Sequence, residues 1–166
     1  GIASSSNGCR GIDHGAWVPL RWMYPAVDVP VVQLSVQPGL GTPHHLQMGR
    51  ALQPLTERGV LVIGSGHVTH NLRDWMTSRE VLQPLPYVLA FSQWLEGHLA
   101  SGDEAALLAY REQAPAAARA HPTEEHFLPL FVALGAAGTE VKSTCIYTGM
   151  EGAALSMDAY EFRQAA

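Results

Sequence analysis

The chain has 166 residues, which is enough for one domain with a core of its own. Its formal net charge of −5, without any cluster of Lys and Arg, argues against nucleic acid as the main partner. An apolar fraction of 47% indicates a globular protein, and the apolar runs are too short to span a membrane. Cys9 and Cys145 lie far apart without a CxxC spacing, so a cytoplasmic location is the simpler expectation.

The first half of the chain predicts a β-α-β unit. Residues 31–36 form a short apolar run typical of a strand. Thr42 with Pro43 is typical of a helix start, and Gly59 is typical of the following helix end. Residues 60–63 then predict a second, buried strand. A helix that joins two strands favours a parallel pair.

The second half is predicted to be mostly helical. The expected elements are a helix over 87–99, a helix over 105–113 behind a capping box at 101–104, a helix from Glu124 to about Gly135 capped by Thr123, and late strands over 144–147 and 154–160. The fold class expected from this alternation is α/β, as a single domain with a central, mostly parallel or mixed sheet flanked by helices.

The segment 64–73, with the sequence GSGHVTHNLR, carries the strongest chemical signal. Its glycines follow the predicted strand 60–63, at the sheet edge where ligands bind in open α/β folds. His67 and His70 are three residues apart there, which favours acid–base or metal chemistry over packing. Ser65 as a nucleophile with His70 as its base is a weaker alternative, because no oxyanion-hole sequence accompanies it.

Most of the eight histidines are expected to be ordinary surface or core residues. His98 near a helix end and His121 before a proline fit that interpretation. His44 and His45 fall in the first turn of a predicted helix, where a positive charge would oppose the helix dipole. Both are therefore expected to be neutral and exposed.

Two further histidines have less usual neighbours. His14 follows Asp13 between two glycines, which is as typical of a plain turn as of a ligand site. His126 follows Glu124 and Glu125 at a predicted helix start. Carboxylate and imidazole groups there suit a metal ion, whereas the simpler interpretation is that the acids complement the helix dipole.

Several motifs occur in a fixed order along the chain. They are GIDHGAW at 11–17, YP at 24–25, PVVQLS at 30–35, HLQMG at 45–49, GSG at 64–66, HNLR at 70–73, HPTEEHFLPL at 121–130 and ALSM at 154–157. Over nearly the whole chain this series resembles the class III extradiol ring-cleavage dioxygenases, in the branch similar to 4,5-DOPA dioxygenase.

The resemblance implies specific roles and cofactors. His70 would be an active-site residue, as a metal neighbour or as the acid–base catalyst, and His126 would be a metal ligand. His14 would contact the substrate and assist proton transfer, whereas His67 has no role in the family pattern. The implied substrates are a catechol and dioxygen, with Fe(II) required for activity. Zn(II) in the same ligands would give an inactive form.

The chain also departs from the family pattern. Family members begin with a segment that carries His-Gly-Ser-Pro and Ser-Ala-His-Trp, which supply two ligand histidines, and neither motif occurs here. Residues 1–166 are therefore interpreted as the C-terminal portion of a single catalytic domain. The missing histidines are expected from a partner segment or chain. By itself, the chain is expected to bind iron weakly, to be inactive and to expose an apolar sheet edge.

Two other function classes remain open at this point. The runner-up is a non-catalytic α/β binding or scaffolding module that has lost the metal half of the site. A zinc-dependent hydrolase ranks third, because it requires three ligands and a bound water. The presence or absence of the two missing histidine motifs in the intact protein separates the dioxygenase from the scaffolding module.

Overall fold

The computed structural model describes residues 2–165, and it has the α/β class that the sequence predicts. The helices are α1 (His14–Met23), α2 (Gly41–Thr56), α3 (Leu72–Thr77), α4 (Pro86–Ser101), α5 (Glu104–Leu108), α6 (Tyr110–Gln113), α7 (Ala117–Ala120) and α8 (Leu128–Ala136), with a 3₁₀ turn at Pro38–Leu40 before α2. The strands are β1 (Val141–Tyr147), β2 (Met150–Glu151), β3 (Leu155–Ser156) and β4 (Ala159–Gln164).

The strands form two small antiparallel sheets near the C-terminus. β1 pairs with β4, with an irregular register between Cys145 and Tyr147, and β2 pairs with β3. The strand predicted over 144–147 is confirmed as part of β1. The strand predicted over 154–160 is divided into β3 and the start of β4.

The prediction of parallel strands at 31–36 and 60–63 was wrong for the chain by itself. Neither segment is a strand, and within residues 2–165 every strand pair is antiparallel. Residues 60–63 are not buried either, since Leu61 is 62% exposed. A strand forms only where a neighbour accepts and donates backbone hydrogen bonds, and the described residues provide no such neighbour for either segment. The central parallel sheet is therefore not formed by these residues.

The predicted helix is confirmed as α2, which packs along α8, although its bounds differ. It begins at Gly41, so Thr42 lies inside it and does not cap it, and it ends at Thr56, before Gly59. The two helices meet at glycines. A Cβ atom on Gly49 would overlap the carbonyl of Val132, and one on Gly135 would overlap the carbonyl of Leu46. The absence of side chains at these two positions lets the backbones approach closely, which fixes how α8 lies on α2.

The hydrophobic core is centred on α4 and α8. The helix predicted over 87–99 is confirmed as α4, whose buried face carries Val88, Phe91 and Leu95. The fully buried rings of Tyr110, Phe127 and Phe131 pack against one another and extend this core. No helix in the described part of the chain is both long enough and apolar enough to cross a membrane.

Two predicted helices differ from the observed ones. The helix over 105–113 is broken at Ala109 into α5 and α6, although Asp103 does cap α5 by accepting a hydrogen bond from the Ala106 amide. The helix expected from Glu124 begins only at Leu128. Residues 122–127 form turns instead, and the Thr123 hydroxyl donates to Glu125 rather than capping a helix.

Candidate active site

His67, His70 and His126 come together into what we call the histidine cluster. The rings of His70 and His126 are stacked, with centroids 3.6 Å apart and planes 12° from parallel. The centroid of His67 lies 5.0 Å from that of His70 and 6.3 Å from that of His126. The structure thus joins the 64–73 segment to the turn before α8.

Backbone hydrogen bonds hold the segment that carries His67 and His70. The His67 amide donates to the His126 carbonyl at 2.8 Å, and the His70 amide donates to the Ala120 carbonyl at 2.8 Å. Between them, the buried Thr69 hydroxyl donates to the Ala154 carbonyl and accepts from the Ser156 amide. Since these bonds tie the segment to three separate parts of the chain, the backbone that carries both rings is held in place.

The glycines of the Gly-Ser-Gly motif allow this segment to lie directly against the start of α8. A Cβ atom on Gly66 would overlap the carbonyl of His126, and one on Gly64 would overlap the carbonyl of Pro129. Glycine is required at these positions because a backbone passes where a side chain would stand. The motif therefore serves to bring His67 and His70 towards His126.

Asn71 fixes the chain immediately after His70. Its side-chain oxygen accepts a hydrogen bond from the Asp74 amide and so caps α3. Its side-chain nitrogen donates to the Arg119 carbonyl at 2.7 Å. Asn71 thus links α3 to the end of α7, with His70 held at the junction.

Burial and mutual repulsion keep two of the cluster rings uncharged. Burial and, to a lesser extent, the positive charges that His126 and His67 would carry together lower the pKa of His70 to about 4, against an opposing effect of Glu125. Burial also lowers the pKa of His67, with a second contribution from His126. At neutral pH, His67 and His70 are therefore neutral imidazoles.

Glu125 is the carboxylate closest to the cluster. Its Oε1 lies 3.3 Å from Nδ1 of His126. Burial acts to raise the pKa of Glu125, but the Thr123 hydroxyl, backbone amides and the nearby histidines outweigh it and lower the pKa overall. The site therefore contains an ionised acid beside His126.

The cluster offers some but not all of the ligands that a mononuclear metal site requires. Nδ1 of His67 and Nδ1 of His126 are buried, and neither has a hydrogen-bond partner among the described residues. Such nitrogens are suited to a metal or to a hydrogen-bonding ligand. However, within residues 2–165 no group of three or more His, Cys, Asp or Glu side chains is arranged to hold a metal ion. These residues fit one side of a metal site.

His14 occupies a different position. It is exposed at the start of α1, and its ring forms no aromatic pair with the histidine cluster in the described structure. The adjacent Gly15 nevertheless lies close to the Ser65 hydroxyl, and Asp13 exchanges hydrogen bonds with Gln33. The start of α1 therefore lies beside the loop that leads to the cluster.

Of two buried histidines outside the cluster, His45 differs from what the sequence suggested and His121 agrees with it. His45 was expected to be exposed, but it is fully buried, with Nδ1 donating to the Gly41 carbonyl and Nε2 accepting from the Gln37 amide. His121 is also fully buried, and its Nε2 donates to the Val68 carbonyl at 2.7 Å.

His67 is the site residue that the sequence interpretation set aside. The i, i+3 spacing of His67 and His70 was the correct signal, because the two rings do lie together. The family pattern assigned His67 no role, so His67 was not kept among the predicted site residues. The structure places His67 in the same cluster as His70 and His126.

Comparison with known proteins places these features in a family. The LigB family, described as the catalytic LigB subunit of aromatic ring-opening dioxygenase, matches residues 1–156 of this chain. The chain is 45% identical over 153 residues to the 4,5-DOPA dioxygenase extradiol of Beta vulgaris, covering 92% of this chain and 56% of that protein. It is 34% identical over 152 residues to the protein of the same name from Escherichia coli K12, covering 89% of this chain and 55% of that protein.

A solved structure shows the same fold. The crystal structure of an uncharacterized protein from Escherichia coli K12 superposes with a TM-score of 0.77 at 32% identity, covering 91% of this chain and 62% of that one. The chain therefore spans little more than half the length of the curated relatives that it matches. With a match over residues 1–156 and this structural likeness, the chain belongs to the LigB family of aromatic ring-opening dioxygenases.

Proposed function

We propose that this chain forms part of an extradiol dioxygenase that opens the ring of a catechol next to its two hydroxyl groups. The observation that supports this most is the stacking of His70 on His126 at 3.6 Å, because these two histidines come from separate family motifs. Both atoms of dioxygen would enter the product, which would be a ring-opened semialdehyde. The names of the relatives make DOPA the first catechol to test.

His70 would act as the general base. A neutral imidazole accepts a proton, and burial together with its histidine neighbours keeps the ring neutral at pH 7. The ring is only half-buried, so part of it is accessible to a substrate hydroxyl. His70 would take the catechol proton and later return one to the opened product.

His126 and His70 would lie on the metal side of the site, with Fe(II) as the active ion and Zn(II) as an inactive replacement. A bound metal would bring catechol and dioxygen together at one centre. Because the described residues contain no complete group of three ligands, further ligands would come from polypeptide outside these 166 residues. His14, at the start of α1, would contact the substrate and assist proton transfer.

The cytoplasm is the proposed location. Cys9 and Cys145 are both unpaired in the described structure. Unpaired cysteines are typical of a reducing compartment.

The test is to replace His70 by Gln in this chain combined with the part of the family domain that it does not match, supplied with iron(II), DOPA and air. Loss of the base should reduce kcat by about 10²-fold or more, measured as oxygen consumption and as absorbance of the ring-opened product. The matched control is His98→Gln, since His98 is a half-buried histidine of α4 whose Nδ1 donates to the Trp94 carbonyl, outside the histidine cluster.

Turnover of His70→Gln near the wild-type rate would show that His70 is not the base. Absence of any oxygen consumption, even when the unmatched part of the family domain is supplied, would favour the alternative of a non-catalytic binding module.

A further inference from the structure

We propose that Glu125 is a positioning residue for His126, whose ring donates a hydrogen bond from Nδ1 to the Glu125 carboxylate. This bond would hold the ring proton on Nδ1 and leave the lone pair of Nε2 for a metal ion. The inference deepens the proposed function, and it rests on that function for the role of His126 as a ligand.

The first observation is the contact between the two side chains. Oε1 of Glu125 lies 3.3 Å from Nδ1 of His126. Nδ1 is buried and has no aligned hydrogen bond to the described residues, so the two atoms are close but not yet bonded. A buried N–H without an acceptor costs free energy, and a small rotation of either side chain would give this one an acceptor.

The second observation is that the carboxylate is already held from its other side. The Thr123 hydroxyl donates to the same Oε1 at 2.7 Å. A carboxylate oxygen has two lone pairs, so it can accept from Thr123 and from His126 together. The turn that carries all three side chains is closed by bonds from the Phe127 and Leu128 amides to the Glu124 carbonyl. Glu125 is therefore placed between Thr123 and the ring of His126.

The third observation concerns what is left to be fixed in His126. Its carbonyl accepts a hydrogen bond from the His67 amide, so the backbone of His126 is held and the ring position and its proton remain. A neutral imidazole has one N–H and one lone pair, and a metal binds the lone pair. The hydrogen bond that one ring nitrogen makes thus determines which nitrogen is left for the metal. Carboxylates commonly supply that bond to metal-binding histidines.

The neighbouring acid, Glu124, is engaged elsewhere. Its Oε1 accepts a hydrogen bond from the Tyr110 hydroxyl at 2.8 Å and lies 3.8 Å from Nε of Arg111. Both partners belong to α6, so Glu124 joins the turn to that helix. Glu124 therefore provides a matched control, because it carries the same charge in the same turn.

The first test locates the proton of His126 by long-range ¹H–¹⁵N NMR spectroscopy of the metal-free 166-residue chain at pH 8. We expect the proton on Nδ1 in the wild type and in Glu125→Gln, whose amide oxygen still accepts the bond. In Glu125→Ala the proton should move to Nε2, whereas Glu124→Gln should keep the wild-type pattern. A proton on Nε2 in the wild type, or the same tautomer in the wild type and Glu125→Ala, would overturn the proposal.

The second test measures zinc(II) affinity by competition with a chromophoric chelator, in this chain combined with the part of the family domain that it does not match. Glu125→Ala should weaken binding by about 10–100-fold. Glu125→Gln should weaken it less, and Glu124→Gln should bind as the wild type does. Equal affinities of the wild type and Glu125→Ala would overturn the proposal. Equal losses in Glu125→Gln and Glu125→Ala would show that the carboxylate acts through its charge or binds the metal itself, which would also overturn it.

Thr123→Val shows whether the hydroxyl acts through the carboxylate. It should weaken zinc binding in the wild-type background and have no effect in the Glu125→Ala background, because the acceptor is then gone. An equal effect in both backgrounds would contradict the proposed order of contacts.

These readouts separate the positioning role from the proposed function. A combined protein that neither binds metal nor opens a catechol would contradict the proposed function, while the tautomer of His126 in the chain alone would still decide the role of Glu125. An active, metal-binding protein in which Glu125→Ala changes neither the tautomer nor the affinity would contradict the positioning role only.

Discussion

His121 illustrates how burial decides what one histidine does. Its side chain is fully buried among aromatic rings, 4.7 Å from Phe127 and 5.5 Å from Phe91 between ring centroids. Burial lowers its pKa to about 4, although the hydrogen bond to the Val68 carbonyl partly opposes this. His121 therefore packs as a neutral ring and holds the segment that carries His67 and His70.

This pKa shift predicts a loss of stability in acid. Between about pH 6.5 and pH 4 the unfolded chain binds a proton at His121 and the folded chain does not. The free energy of unfolding should therefore fall as the pH drops through this window, by about 3 kcal/mol for His121, and this contribution should level off below pH 4. Urea unfolding at pH 7, 5.5 and 4.5 measures the slope.

The variant His121→Phe should lose the part of this slope that comes from His121, because it removes that titrating group and keeps an aromatic ring in place. The lowered pKa values of His67 and His70 should leave a residual slope. His98→Phe serves as the control at a half-buried position. Equal slopes in wild type and His121→Phe would show that His121 does not carry the acid sensitivity.

At the scale of elements, hydrogen bonds at the ends of short helices hold the candidate site in position. α3 has six residues and is too short to be stable alone. Asn71 caps it and also binds the Arg119 carbonyl, so one side chain orders the helix and its contact with α7.

Replacing Asn71 by Ala should lower the free energy of unfolding by about 1–3 kcal/mol, because it removes a helix cap and a second hydrogen bond. Asn71→Asp keeps the capping oxygen but lacks the donor to Arg119, so it should lose less. Thermal unfolding of both variants measures the difference. If Asn71→Asp proved as damaging as Asn71→Ala, the bond to Arg119 would outweigh the cap.

The contact between α2 and α8 depends on glycines, which let the two backbones approach closely. Replacing Gly49 by Ala should destabilise the protein by about 1–3 kcal/mol or more, because the added methyl group would overlap the backbone of α8. Gly97→Ala in α4 is the matched control, since a Cβ atom there meets nothing within 4 Å. That change should stabilise the protein by about 0.5–1 kcal/mol through helix propensity. Similar effects of the two changes on the unfolding temperature would argue against close helix packing at Gly49.

At the scale of the whole molecule, the chain presents one side of a candidate site and two exposed apolar segments, 31–36 and 60–63. The histidine cluster lies where the segment after 60–63 meets the turn before α8. The proposed metal site is therefore expected to be incomplete in these residues alone.

Retention of iron by the chain alone tests whether the metal site is incomplete. The 166-residue chain alone, loaded with iron(II) under nitrogen and then dialysed, should retain much less than one ion per chain, because two or three imidazoles without a closed ligand set bind weakly. Elemental analysis of the dialysed protein measures the ratio. One tightly held ion per chain, lost in His126→Ala, would show that these residues suffice for a metal site.

A predicted helix or strand was found in the structure where neighbouring residues alone stabilise it, and was absent where it requires a partner that the described residues do not provide. Helices α2 and α4 were predictable because their apolar periodicity and their proline or glycine boundaries lie within the helix. The strands at 31–36 and 60–63 have equally clear apolar patterns, but a strand requires a partner from another part of the polypeptide. The late start of α8 depends on turns around Glu124 that local pattern does not distinguish from a first helical turn.

The sequence by itself determined the family, the α/β class and the identity of His70 and His126 as residues to examine, because motif order and helix periodicity are properties of the linear chain. Only the tertiary structure decided that His67 joins them, that His45 and His121 are buried, and that 31–36 and 60–63 remain unpaired. The physical reason is that ring contacts, burial and strand pairing all depend on residues far apart in sequence. Spacing along the chain does not specify which of those residues meet.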